Sequence, residues 1–260
     1  MRLTRPATAL AAALMLSLSP LSTAEAQTID YATMSDEERA TFGASVRAYL
    51  LDNPEVIAEV IEKLQANRED QERNRDRTLV SQHLGALHDT DYSWVGGNPE
   101  GDVTVVEFLD YRCGFCKRVH PEVKAALETD GNIRLIVKEF PILGPDSVVA
   151  GRMAMAALRI DPDLYGTLSD ELMAFQGELT ETMAYRIASV VGYDIAELKD
   201  LAGSPEIQEQ IDRNYMLADA LDIRGTPTFV IGDQIVRGAV PENELLALVE
   251  RERDAQAAAN

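Results

Sequence analysis

The spacing of apolar side chains changes character along this chain, and each change marks a different kind of element. Within residues 27–90, Phe42, Val46, Tyr49 and Leu50 form a short apolar stripe behind the polar start Ser35-Asp36-Glu37-Glu38. Val56, Ile57, Val60, Ile61 and Leu64 form a second stripe. Steps of three and four residues predict helices, and Asn53-Pro54-Glu55 reads as a helix start with Pro54 at the first helical position. Residues 65–78 are almost wholly polar, with charges of alternating sign and neither Gly nor Pro, which predicts a solvated helix or helical linker. Apolar residues return at Leu79, Val80, Leu84 and Leu87. The 56–64 stripe has no core within its own segment. It packs either on the rest of the chain or on copies of itself in an oligomer, and periodicity does not separate the two.

Beyond residue 90 the period shortens. Gly96-Gly97-Asn98-Pro99 reads as a loop, and residues 102–109 are rich in β-branched side chains, as a strand requires. A helix-compatible stretch runs through Leu127, and Ile133-Arg134-Leu135-Ile136-Val137 is a second strand. Strand, helix and strand at this spacing predict a βαβ unit with parallel strands. Residues 147–221 are rich in Ala, Leu and Met, broken at Pro162, Gly177, Gly192 and Pro205, and predict an insertion of four or five short helices. Thr228-Phe229-Val230-Ile231, the turn Gly232-Asp233 and residues 234–237 predict a hairpin. Residues 241–253 predict a closing helix carrying Leu245, Leu246 and Val249, followed by an alanine-rich tail expected to fray.

Composition adds a core and an address. With 46% hydrophobic residues over 260 positions the chain is long enough to bury a core. Arg2 and Arg5, the short apolar run at 9–18 and Ala24-Glu25-Ala26 have the form of a secretory signal, so residues 1–26 are expected to be removed and the rest exported to an oxidising compartment. Losing two basic and one acidic residue from 24 and 44 leaves 22 and 43, a net charge of −21. Such a surface repels nucleic acid and anionic lipid, and it argues against a nucleic-acid partner.

The whole chain has two cysteines, in Cys113-Gly114-Phe115-Cys116. A bridge across two residues removes little entropy from the unfolded chain, so the pair is a poor staple. It is a good redox couple. A cysteine between a strand and a helix sits at the helix N-terminus, where unpaired N–H groups favour the thiolate, and the second lies one turn further in. Cys113 is thus expected to attack and Cys116 to resolve. No further cysteine completes a four-thiolate metal site. His120 would share a helix face with Cys116, which leaves a Cu(I) site of Cys113, Cys116 and His120 as the rival reading, against an interfacial histidine that packs on its helix. Neither a resident metal nor an organic cofactor is required by the leading reading. Gly225-Thr226-Pro227-Thr228 places a proline directly before a strand, which suggests a deliberate X-Pro turn. Glu107 falls out of phase with Val106 and Phe108 in a strand buried on both faces. There a carboxylate is costly without a role, the alternative being a strand-end acid in solvent.

Together these elements resemble the thioredoxin superfamily. The helical insertion narrows the resemblance to the DsbA family of periplasmic thiol oxidoreductases. Asp110-Tyr111-Arg112-Cys113-Gly114-Phe115-Cys116-Lys117 and Lys138-Glu139-Phe140-Pro141-Ile142-Leu143-Gly144 resemble its ScsC-like branch, and residues 42–64 are similar to the N-terminal helical segment that some members carry. The implied architecture is an α/β, thioredoxin-like domain at 91–257 with a helical insertion at about 146–222, preceded by a helical segment at 27–90. The resemblance implies that Thr226-Pro227 is the loop that binds client backbone. It also implies that Glu107 is a buried acid that moves the resolving thiol's proton. The partners it implies are exported proteins with cysteines and a membrane redox protein that recycles the pair. One departure matters: the DsbA enzymes carry Pro-His between their cysteines, where this chain has Gly114-Phe115. Their extreme acidity and strong oxidising power therefore cannot be assumed for Cys113.

Overall fold

A computed structural model of the chain describes residues 31–259, so the expected signal at 1–26 lies outside the described residues. The chain divides into two compact units between Glu62 and Lys63. In the first, helix α1 (Asp36–Asp52) is started by a capping box, with Ser35 and Glu38 satisfying each other's backbone N–H groups. Helix α2 (Glu55–His88) starts behind Pro54 and runs for 34 residues, so the charged stretch 65–78 is continuous helix. The apolar residues of α1 and of the start of α2 do not find a core in this unit: Phe42, Val46, Tyr49, Ile57, Val60 and Ile61 are all exposed.

The second unit is built on a five-stranded sheet in the order β1-β3-β2-β4-β5. Strands β2 (Val103–Leu109) and β3 (Ile133–Glu139) run parallel, joined by α3 (Gly114–Asp130). Strand β4 (Thr228–Ile231) lies antiparallel to β2, and β5 (Gln234–Arg237) closes the hairpin. Helix α9 (Glu242–Ala259) continues through the alanine tail instead of fraying at Arg253, in keeping with alanine's high helix propensity. Arg253 ties it to Asp102 at 2.8 Å and Asp130 at 2.7 Å.

Gly96 and Gly97, read as the start of a loop, are instead the second half of strand β1 (Trp94–Gly97). The strand pairs antiparallel with β3, and its two glycines hid it from the pattern. A Cβ on Gly96 would lie 2.4 Å from the Trp94 ring, so the glycine is required by that side chain's position and says nothing against a strand.

Between β3 and β4 the insertion consists of five helices: α4 (Pro145–Ile160), α5 (Pro162–Ala174), α6 (Glu181–Val191), α7 (Ile195–Ala202) and α8 (Pro205–Ala220). The alternation of β2 separates two cores. Val103, Val105 and Leu109 join α3, α4, α5 and α9 on one face of the sheet. Val106 and Phe108 join Val80 and Leu87 of α2 and Leu217 of α8 on the other. The end of α2 is further held to the sheet by Asp76, whose two carboxylate oxygens accept from Arg237 at 3.0 and 3.1 Å.

Candidate functional site

The two cysteines occupy the point where β2 hands over to α3. Cys113 is the N-cap of α3, in extended backbone conformation, and its sulfur accepts the backbone N–H of Cys116 at 3.4 Å. Both cysteines are free thiols. The turn leading into them is fixed by Asp110, whose buried carboxylate accepts from the N–H groups of Arg112, Ile142 and Leu143 at 2.8, 2.9 and 3.0 Å. One aspartate thereby locks the cysteine turn to the segment after β3.

Thr226-Pro227, from the other half of the domain, lies against Cys113. The peptide bond between them is cis, and the Thr226 carbonyl accepts from the Cys113 thiol at 3.1 Å. The Thr226 hydroxyl is buried and makes no hydrogen bond. These surroundings split the two thiols. A hydrogen bond from the Cys116 thiol, opposed by burial and helped by the Thr226 side chain and the N–H groups of Cys116 and Phe115, brings the Cys113 thiol down to about 5. Giving that hydrogen bond, together with burial, drives the Cys116 thiol far upward. One sulfur is therefore a thiolate at neutral pH and its neighbour holds its proton. Alkylation of Cys113 by iodoacetamide should accordingly lose about tenfold per pH unit below a midpoint near 5 and level off above it. A midpoint at the ordinary thiol value would show that these contacts do not hold the thiolate.

Glu107 lies on β2 in phase with Val105 and Leu109, facing α3, and is 2% exposed, so the solvent-facing alternative is excluded. Burial raises its carboxyl to about 8. It borders a cavity of about 470 Å³ walled by Trp94, Val123, Leu127 and Val137. Its negative charge is one of the influences that raise Cys116. His120 is not brought to the sulfurs; its Nε2 lies 2.7 Å from Asp170, whose other oxygen pairs with Lys124. Among the described residues no group of three or more His, Cys, Asp or Glu could hold a metal ion, which leaves the copper reading two sulfur ligands.

A groove of about 710 Å³ opens beside the cysteines, lined by Phe115, Arg118, Thr226, Pro227, Arg237 and Ala239. Phe115 is exposed, with the Arg118 guanidinium 4.9 Å from its ring centre. Of this lining, sequence reasoning singled out Thr226 and Pro227 but not Arg118, Arg237 or Ala239, and it did not find the anchoring by Asp110. Asp110 lies two residues before Arg112, the spacing of a side-chain-to-backbone turn, and that is the one signal that could have found it.

A family model described as thioredoxin matches residues 89–251. The chain belongs to the thioredoxin superfamily, among its DsbA- and ScsC-like members. A second model, for the N-terminal domain of the copper resistance protein ScsC, matches residues 38–71. Among solved thioredoxin-like structures, an oxidoreductase from Silicibacter pomeroyi is 40% identical with a TM-score of 0.63, covering 65% of this chain and 97% of its own. The thiol-disulfide exchange protein α-DsbA2 of Wolbachia pipientis is 29% identical with a TM-score of 0.65, covering 69% and 96%. A curated relative, a Na(+)/H(+) antiporter of Salinispora arenicola, is 32% identical over 167 residues, 62% of this chain and 25% of the antiporter. The chain thus spans only about a quarter of the antiporter's length. Membership of the superfamily accounts for the fold.

Proposed function

We propose that this chain is a thiol–disulfide oxidoreductase acting on exported proteins that contain cysteines. The observation that carries this reading is the split pair of thiols: an acidic Cys113 at a helix N-terminus, 3.1 Å from the Thr226 carbonyl, beside a buried, proton-holding Cys116. The Cys113 thiolate attacks one sulfur of a client disulfide, the client's other sulfur leaves as a thiolate, and a mixed disulfide forms. Cys116 then gives up its proton and attacks Cys113, closing the Cys113–Cys116 disulfide and releasing the second client thiol. Run backwards, the same steps oxidise a client dithiol. A carboxyl near 8 changes charge close to neutral pH, so Glu107 is suited to take and return the Cys116 proton. Thr226-Pro227 offers backbone groups to the client segment lying in the groove beside Phe115.

The acidity of Cys113 bears on direction. A thiol near 5 lies between thioredoxin, at about 7, and DsbA, at about 3.5. A more stable thiolate favours the reduced protein and makes the disulfide the stronger oxidant, which supports donation or isomerisation of disulfides above plain reduction. The test is equilibration with glutathione of known ratio, followed by acid quenching and mass measurement. A single two-electron couple lying on the oxidising side of thioredoxin is expected. A pair that never exchanges with glutathione disulfide would overturn the reading.

Delivery to the periplasm rests on the signal-like residues 1–26 and accords with the periplasmic thioredoxin-like protein of Salmonella enterica, 28% identical, among the similar structures. No described helix is long and apolar enough to cross a membrane. Recycling of the pair by a membrane redox protein is proposed from the resemblance to the DsbA family. Self-association is supported by the apolar residues exposed on α1 and the start of α2. The full chain with Ile57→Asp and Ile61→Asp should sediment as a smaller species than the parent; identical sedimentation of the two would sink the proposal.

A further inference from the structure

Glu139, at the end of β3, is 4% exposed and ties four elements together. Its Oε1 accepts the hydroxyl of Tyr111 at 2.8 Å and that of Tyr165 at 2.5 Å. The two hydroxyls are themselves 3.2 Å apart, and Ser169 Oγ lies 3.5 Å from the first. The Glu139 carbonyl accepts from Asn214 of α8 at 2.9 Å. Tyr111 stands two residues before Cys113, in the turn that Asp110 anchors, whereas Tyr165 and Ser169 belong to α5 in the insertion. Both tyrosines are about 1% exposed. A buried carboxyl is expensive, and a fold that wanted only packing at this point would use a leucine. The cluster therefore has a different effect: it fixes the ring of Tyr111, and with it the backbone that delivers Cys113 to the first turn of α3.

We propose that Glu139 is a positioning residue for the cysteine pair, through which the helical insertion sets the acidity of Cys113. The inference rests on the exchange function proposed above. Burial raises the Glu139 carboxyl to about 8, so it is mostly neutral at working pH, and glutamine can replace it as an acceptor for both hydroxyls. The groups facing it are Tyr111 from the cysteine turn, Tyr165 and Ser169 from α5, and the charges of Asp110 and Glu107, which both add to its rise. Cys113 owes its low value to contacts that depend on position: the Cys116 thiol, the Thr226 side chain and two N–H groups at the helix start. Releasing Tyr111 lets the turn relax and lengthens those contacts, so the thiolate weakens.

The test uses the full chain and four variants, Glu139→Gln, Glu139→Leu, Tyr165→Phe and, as a control, Tyr193→Phe. Tyr193 donates to the Asp161 carbonyl within the insertion at 2.9 Å, away from the hydrogen bonds of Glu139. Two readouts are taken: thiolate absorbance against pH, and the equilibrium with glutathione. Tyr165→Phe and Glu139→Leu should each weaken the Cys113 ionisation constant by roughly threefold or more, and make the disulfide harder to reduce by a similar factor at neutral pH. Glu139→Gln should restore most of the parent values, and Tyr193→Phe should leave both unchanged. If Glu139→Leu does not fold, Tyr165→Phe carries the test, since it keeps the ring and removes only the hydroxyl. A Tyr165→Phe protein that melts earlier but keeps the parent's Cys113 titration would overturn the proposal and make the cluster structural alone. Absorbance reports ionisation whether or not clients are turned over. A parent that shows the acidic thiol but no exchange would therefore overturn the function and not this coupling.

Discussion

Replacing Cys116 by alanine is expected to convert the chain from a catalyst into a trap. With the second thiol gone, Cys113 still attacks a client disulfide, but the mixed disulfide has no internal route to release. Incubation with an oxidised client followed by electrophoresis without reductant should show a stable adduct through Cys113. Replacing Cys113 by serine should instead abolish adducts and cut exchange by at least roughly a thousandfold, because a neutral hydroxyl cannot stand in for a thiolate. The asymmetry is the diagnostic part. It follows from the opposite displacement of the two thiols, with Cys113 held near 5 and Cys116 raised. Equal adduct formation from either single variant would contradict that assignment of roles.

The second large effect is expected at Glu107, where stability and turnover should move in opposite directions. The carboxyl ionises near 4.5 in an unfolded chain and near 8 when folded, because burial penalises its charge. The folded chain therefore binds the extra proton between those values, and stability falls as pH rises through that window. At neutral pH the cost amounts to about 3 kcal/mol. Glu107→Leu should recover it, and the gain should shrink towards zero as pH is lowered to the ordinary carboxylate range, leaving only the packing contribution. Denaturant unfolding at several pH values measures this directly. The same variant should slow resolution of the mixed disulfide by roughly a hundredfold, the usual worth of a positioned acid or base. A variant that is more stable yet resolves at the parent rate would leave Glu107 without a part in proton transfer.

What the sequence disclosed here followed the range of each interaction. Val103, Val105, Val106 and Phe108 alternate within one strand, and Cys113 sits at a strand-to-helix junction; both are local patterns, visible along the chain. The hairpin of β4 and β5 announced itself through Gly232-Asp233 for the same reason. Burial of Glu107 was readable because its neighbours are apolar on both sides. Strand β1 was not readable: half of its four residues are glycines, and its pairing with β3 is decided by Trp94 and by a partner some forty residues away. Glu139 was hidden in a different way. It belongs to the quoted stretch Lys138-Glu139-Phe140, yet its meaning depends on Tyr165, which enters only when α5 packs back against the sheet. For His120 the helical spacing left two readings, a ligand beside Cys116 or an interfacial histidine, and Asp170 in α5, which takes its ring nitrogen, favours the second.

The contact between Cys113 and Thr226 spans 113 positions of the chain. The insertion lies between them in sequence, so the strand that presents Thr226 is made and placed long after the cysteines exist. The acidity of Cys113 is set mostly within α3, by the Cys116 thiol and the N–H groups of the first turn, and Thr226 adds to it from β4's side of the sheet. A chain cut short within the insertion would keep both cysteines and those local contacts but lack the loop that lines the groove beside them. Attack and client binding are in this sense built by separate stretches of the chain.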